Sequence, residues 1–267
     1  MEIKLKIMDA SQYTKAISFR GQAVSLGYMA EYEEGDLICL EASQSGQFCQ
    51  IQFDDAMLPA IVFLQGNALF FKIPFGEKRT TLSPKAFRGK CHLLSARIVG
   101  TDEIFARRNL ALNPYDGFAG PQMFPHASAN VETRDEAVFA ARNAIDGIWA
   151  NQAHGQFPYG SWGINRRADA EWKLEFGAPV CLDELRITLR GDFPHDNHWC
   201  QAIVDFSDGS SETLSLLKSE QPQCYPLKPR IVTSLLLHNL IQSEDSTSPF
   251  PALTQFEAWG HYEKTDN

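Results

Sequence analysis

Eight consecutive residues, DFPHDNHW from Asp192 to Trp199, hold two acids, two histidines, an asparagine and two aromatics around one proline. Three uses compete for them. His195 and His198 stand three apart with Asp196 between them, so a helical turn would put both imidazoles on one face and suit a transition metal. Pro194 and the strand-like runs on either side favour a loop, and no distant Cys or His is marked as a third ligand, which weighs against metal. For catalysis, His195 and Asp196 could form an oriented acid–base pair, or Asp192 and Asp196 could flank a glycosidic bond. An exposed loop rarely desolvates a carboxyl, however, and the chain has no GxSxG elbow, P-loop or dinucleotide fingerprint.

Binding without reaction fits the composition best. Sugars present apolar ring faces bordered by hydroxyls, so their sites combine an aromatic platform with planar polar partners. The expected ligand set is Arg190, Asp192, His195, Asp196, His198 and Trp199, with Phe193 and Asn197 beside them. Tyr159, Ser161 and Trp162 of a second aromatic loop supply another wall, and no catalytic residue is assigned. A structural reading competes: Asp192 and Asp196 tie down the loop by Asx turns, while Phe193 and Trp199 plug the core. Trp172 is read as core, and Trp149 and Trp259 as core rather than platform.

Short strands must position these residues. EIKLKIM, DLICLEA, FCQIQF, AIVFLQG, NALFFKI and CHLLSARIV follow one another with Gly, Asp, Pro and Ser between them, which predicts an antiparallel sandwich. The Pro- and Gly-rich segment Asn113–Asn130 places a break near Gly120. This divides the chain into an N-terminal β-sandwich of unassigned role, 1–120, and a second β-sandwich, 121–267. Thr133 and Glu136 read as a capping box opening one short helix over AVFAARNAI that ends near Asp146-Gly147. In EWKLEF, Trp172, Leu174 and Phe176 share a face; in ELRITLR, Leu185, Ile187 and Leu189 point inward and Arg186, Thr188 and Arg190 outward. Asp208-Gly209 is a hairpin signal between QAIVDF and ETLSLL. The fold class is therefore all-β, two antiparallel jelly-roll-like sandwiches with one short helix.

With 24 basic and 33 acidic residues the net charge is −9, and no basic stripe exists to receive nucleic acid or an anionic membrane. No secretory signal or membrane-span pattern is present, so the chain as written reads as cytoplasmic, or as extracellular if a leader was removed. Six cysteines show no zinc spacing, and Cys39, Cys49, Cys181 and Cys200 read as buried small hydrophobes. Asp54 with Asp55 and Arg107 with Arg108 read as solvated strand ends.

The order NAIDG, an aromatic loop with Trp, A-x-W-x-L-x-F-G, a strand ending in Arg, V-x-F-S-D-G-S and F-E-A-W-G resembles the galactose-binding-like β-sandwich of discoidin domains and bacterial-type carbohydrate-binding modules. It runs over roughly residues 124 to 262. The resemblance implies a carbohydrate ligand held on loops at one end of the sandwich. It also implies a structural calcium at the positions of Asp146 and Glu257, where two carboxylates and turn carbonyls would supply oxygens. No other cofactor is expected. The competing functions are a glycan-acting enzyme with His195 or Asp196 as acid or base, and a module that binds a partner protein.

Overall fold

The computed structural model describes residues 1–119 and 122–263, so the break expected near Gly120 lies outside the described residues. Antiparallel strands are its main regular element, with only short helical turns between them. The first half contains β1 (Ile3–Met8), β2 (Thr14–Ile17), β3 (Ala23–Tyr28), β4 (Leu37–Ala42), β5 (Gln47–Gln52), β6 (Ala60–Leu64), β7 (Ala68–Lys72) and β8 (His92–Ile98). The connection carries β9 (Arg108–Asn109) and β10 (Met123–Phe124). One sheet runs β2-β1-β4-β7 and another β10-β6-β5-β8-β3. Alternation drives their packing: Ile3, Leu5 and Ile7 of β1 are buried, as are Cys49 and Ile51 of β5, while their neighbours are half-covered. Phe53, Phe71, Phe87 and Tyr115 close the core of this half with ring contacts.

The second half comprises β11 (His126–Ala129), β12 (Trp162–Gly163), β13 (Trp172–Leu189), β14 (Trp199–Phe206), β15 (Ser211–Ser215), β16 (Gln223–Gln242) and β17 (Ala252–Tyr262). They pair in the order β12-β17-β13-β16-β14-β15, with β11 added to β13 and β9 to β17. The register of β13 on β16 breaks between Glu175 and Val180 and again between Leu182 and Glu184, irregularities that bend so long a strand. Trp172, Leu174, Phe176, Leu185, Ile187 and Leu189 all point into one core, as their alternation predicts. The Asp208-Gly209 turn joins β14 to β15, with Gly209 at φ +84° and Asp208 Oδ1 accepting the Ser210 N–H at 2.8 Å.

The two halves exchange strands. β9 precedes the expected break yet pairs with β17, and β10 follows it yet pairs with β6. Arg142, fully enclosed, pins the junction by donating to the carbonyls of Asp116 at 2.6 Å and Pro114 at 2.9 Å and to Thr81 Oγ1 at 3.1 Å.

Several expectations need correction. The helix over AVFAARNAI is instead three separate 3-10 turns, Thr133–Asp135, Ala137–Phe139 and Ala141–Ile145, interrupted by extended Glu136 and Ala140. No capping box forms, because Thr133 Oγ1 accepts the Asn165 N–H and Glu136 pairs with Arg134. Nearly every side chain from Val138 to Ile145 is buried, so this segment has no solvent face of the kind a surface helix keeps. It ends at Gly147, whose φ is +81° and whose Cβ, if present, would lie 2.7 Å from Leu112 Cδ1. Trp149 is not core but 52% exposed. Cys200 is exposed and Cys181 half-buried, whereas Cys39 and Cys49 are buried; burial pushes the Cys49 thiol up to about 12. Asp54 is buried and accepts the Phe87 N–H, and Arg108 is held by the carbonyls of Glu103 and Ile104, so neither is solvated. Arg107, at the surface, pairs with Asp183 and Glu184 of β13.

Candidate binding cleft

DFPHDNHW divides in the middle. Asp192 to His195 face outward around a cis Phe193–Pro194 peptide, and Asp196 to Trp199 turn into the protein. The inward half holds the loop together. Asp196 takes both prongs of the Arg190 guanidinium, Nε to Oδ2 at 2.9 Å and Nη2 to Oδ1 at 2.6 Å, and also the Asp192 N–H at 2.9 Å. Asn197 donates to the carbonyls of Ser243, Ser246 and Ser248 between 3.0 and 3.1 Å, fastening the loop that leads to Phe250. His198 is buried, and desolvation lowers its pKa. Trp199 lies in the core against Trp162, ring centroids 6.2 Å apart, and Trp162 Nε1 donates to the Val131 carbonyl.

Arg190 and Thr188, expected to point outward, are buried because the connecting loops cover that side of β13. Asn151 spans it, donating to the carbonyls of Leu189 and Glu220, and Phe250 lends its carbonyl to Arg190 at 3.2 Å. The loop residues thus sort by burial. Asp196, His198, Trp162 and Trp199 have no surface to offer a ligand, and half-buried Tyr159 lies off the cleft lining. Arg190 and His195 do reach it.

That cleft, about 400 Å³, lies where three loops meet. One wall is Thr133, Arg134 and Phe139; a second is Gly163 to Arg166; the third is Pro249 to Ala252, with His154, Arg190 and His195 between them. Backbone approach at its floor is tight: a Cβ on Gly163 would sit 2.7 Å from Thr133 Oγ1. Arg134, Asn165 and Arg166 all have positive φ, +55°, +47° and +61°, a conformation that costs such residues about 1–3 kcal/mol each and recurs at ligand-holding sites.

Four planar groups form a column along the cleft. His154 stacks on His195 with centroids 4.4 Å apart and planes 10° apart; His195 stacks on Phe250 at 5.2 Å and 6°; the Arg166 guanidinium lies 4.8 Å over Phe250. Asp192 anchors the end of the column through His154 Nδ1 at 2.8 Å, and His195 Nδ1 lies 3.2 Å from Asp196 Oδ1. His154 is the remote histidine that sequence reading did not connect to this loop, 38 residues before Asp192. Among the described residues His154, Asp192 and His195 form one of two groups with three donor atoms near enough to share a metal, the other being Cys181, His261 and Glu263. The nearly parallel imidazole planes keep their in-plane lone pairs from converging on one ion, so the loop group is arranged as a platform rather than a tripod.

The residues at the calcium positions implied by the resemblance do not fit that ion. Gln255 Nε2 occupies the place among the oxygens, donating to Asp146 Oδ1 at 2.7 Å and to the carbonyls of Asn143 and Thr254 at 2.8 Å. The Gly147 N–H, 3.1 Å from Gln255 Oε1, fixes which end of the amide is nitrogen. Glu257 is engaged elsewhere, taking the Trp259 indole N–H at 2.7 Å. An N–H donor and a cation cannot share one set of oxygens. Burial pushes the Asp146 carboxyl up to about 7, against the opposing pull of Arg142 and of its own hydrogen bonds.

No family model matches the chain, and no curated protein does. Solved structures do. A chitosan-binding module from Paenibacillus sp. IK-5 is 15% identical over 58% of this chain and 100% of its own, with a TM-score of 0.39. A fucose-binding module of Streptococcus pneumoniae is 16% identical over 59% and 99%, TM-score 0.40. A family 32 carbohydrate-binding module of C. perfringens, solved with galactose, is 17% identical over 50% and 91%, TM-score 0.38. At such identities and TM-scores the likeness extends to no ligand and no role.

Proposed function

We propose that this protein binds a glycan, without chemical change to it, in the cleft bounded by Arg134, Phe139, Arg166 and Phe250. The observation that carries this reading is the column of His154, His195, Phe250 and Arg166, which puts N–H donors and ring edges along one concave wall. A pyranose can meet such a wall with its hydroxyls on the planar donors and its C–H groups on Ile164, Pro249 and Pro251. Neighbouring groups hold this wall in place: half-buried Asp192 orients His154, and Arg190 with buried Asp196 fixes the loop that carries His195.

The same geometry weighs against the acid–base reading. Asp196 is enclosed and committed to Arg190, a backbone N–H and His195 Nδ1, so its carboxylate does not itself reach a ligand in the cleft. A glycan array followed by calorimetry tests the proposal. Binding that His195→Ala or Phe250→Ala weakens at least tenfold in a folded protein supports it. Absence of any hit, or hits indifferent to both substitutions, counts against it, and new reducing ends in a polysaccharide digest would restore the enzymatic reading.

A further inference from the structure

Resting on that glycan reading, we infer that the ligand is an acidic sugar, one bearing a carboxylate or a sulfate ester. The chain as a whole is acidic, at −9, yet none of the residues that line the cleft is Asp or Glu. Its polar side chains include three guanidiniums and two imidazoles. The acids that belong to them stand outside the lining: Asp196 behind Arg190, Glu136 beside Arg134, and Asp192 behind His154.

Arg166 is different. Among the described residues its side chain makes no ion pair, and its guanidinium lies over the face of Phe250 at 4.8 Å. A guanidinium laid on a ring keeps its N–H fork free in its own plane, and that fork matches a carboxylate or sulfate through two parallel hydrogen bonds. Arg166 starts from a left-handed backbone, φ +61°, on the loop that forms one wall of the cleft.

The column adds to this preference. His195 is covered on one face by His154 and on the other by Phe250, and Phe250 is flanked by His195 and Arg166. The inner members of such a stack leave only their edges to a ligand, and ring edges carry the positive part of the quadrupole. A neutral sugar profits little from that field, whereas an anion gains chiefly from Arg166, the one guanidinium of the lining that no acid among the described residues pairs with.

Titration of the full chain with three probes tests the inference: a galacturonic-acid trisaccharide, a galactose 6-sulfate disaccharide, and a neutral galacto-oligosaccharide of matched length. An acidic probe is expected to bind at least tenfold tighter than the neutral one at 50 mM salt. The advantage should shrink in 0.5 M salt and vanish in Arg166→Ala, with Arg166→Lys restoring part of it. The two acidic probes separate carboxylate from sulfate recognition. Equal binding of the neutral probe, or a charged-probe advantage that survives Arg166→Ala, overturns the inference and leaves the glycan reading standing. Inorganic sulfate binding as tightly as either sugar would instead remove the glycan reading while keeping the anion preference, and no binding of any probe would overturn both.

Discussion

Arg190 and Asp196, six residues apart, meet through two parallel contacts of 2.9 and 2.6 Å in a region closed to solvent. The pair joins the end of β13 to the loop that presents His195, and Arg190 also holds the Phe250 carbonyl. Removing one member leaves the other charge buried without a partner. Asp196→Ala is therefore expected to cost about 3–5 kcal/mol of stability, read as a lowered urea midpoint with unchanged slope. Ligand affinity should fall with it, because the cleft wall loses its fastening.

A half-buried and a fully enclosed aromatic of the same neighbourhood, Phe250 and Trp199, should separate cleanly. Phe250→Ala removes the centre of the stacked column, so it is expected to weaken glycan binding by about 1–2 kcal/mol with a small change in thermal midpoint. Trp199→Ala empties a fully enclosed site and is expected to cost about 3–5 kcal/mol of stability before any effect on ligand. Calorimetric affinity and thermal unfolding of both variants, side by side, check the distinction.

Gln255 predicts indifference to calcium. Chelation by EDTA and addition of millimolar calcium should both leave the unfolding midpoint where it is. Gln255→Ala strips the donor from Asp146 Oδ1 and from the Asn143 carbonyl, and is expected to destabilise by about 1–3 kcal/mol. A midpoint that rises by several degrees with calcium in the unaltered protein would refute the assignment.

Asp146 and His126 set the direction of the pH dependence. Asp146 goes from 3.8 in the unfolded chain to about 7 when buried, so between those values the folded state binds more protons and stability falls as pH rises. His126 is raised from 6.5 by its hydrogen bond to Asp116, so the stability it contributes is full below 6.5 and is lost as pH climbs through the raised value. Both slopes have the same sign, and His198, lowered by burial, opposes them below 6.5. The check is differential: across pH 4 to 7 the stability of Asp146→Asn should fall less, or rise more, with increasing pH than that of the unaltered protein.

The strands were legible because their burial follows the period of two: Ile3, Leu5 and Ile7, or Trp172, Leu174 and Phe176, announce a face without any tertiary knowledge. β2 and β3 escaped as sheet edges: β2 has no fully buried side chain, and in β3 Val24, Leu26 and Tyr28 alternate with the small Ala23, Ser25 and Gly27, a weak contrast over only three rungs. The expected helix failed for the opposite reason, since a segment buried on nearly all sides has lost the periodicity that distinguishes helix from tight turns. At the site, His195 and Arg190 were found through the dense loop that carries them. Arg134, Arg166, His154 and Phe250 were not, because they come from three other loops and converge only in the folded chain. Two weak local signals existed, the Arg166-Arg167 pair and the Pro249-Phe250-Pro251 run, yet no one-dimensional rule foretells that an arginine will take a left-handed backbone.

The exchange of β9 and β10 bears on how the molecule can be divided. A fragment starting at residue 121 would carry away Met123 and Phe124, the rung that completes β6, and would forfeit Arg108 and Asn109, the rung beside Trp259 and Gly260. It would also lose Leu110 and Ala111 from its own core. Each half is in this sense a donor of one strand to the other, and severing the chain at a single point takes something from both. Evolutionary shuffling of the C-terminal sandwich as a free-standing cassette would first have to undo that reciprocity.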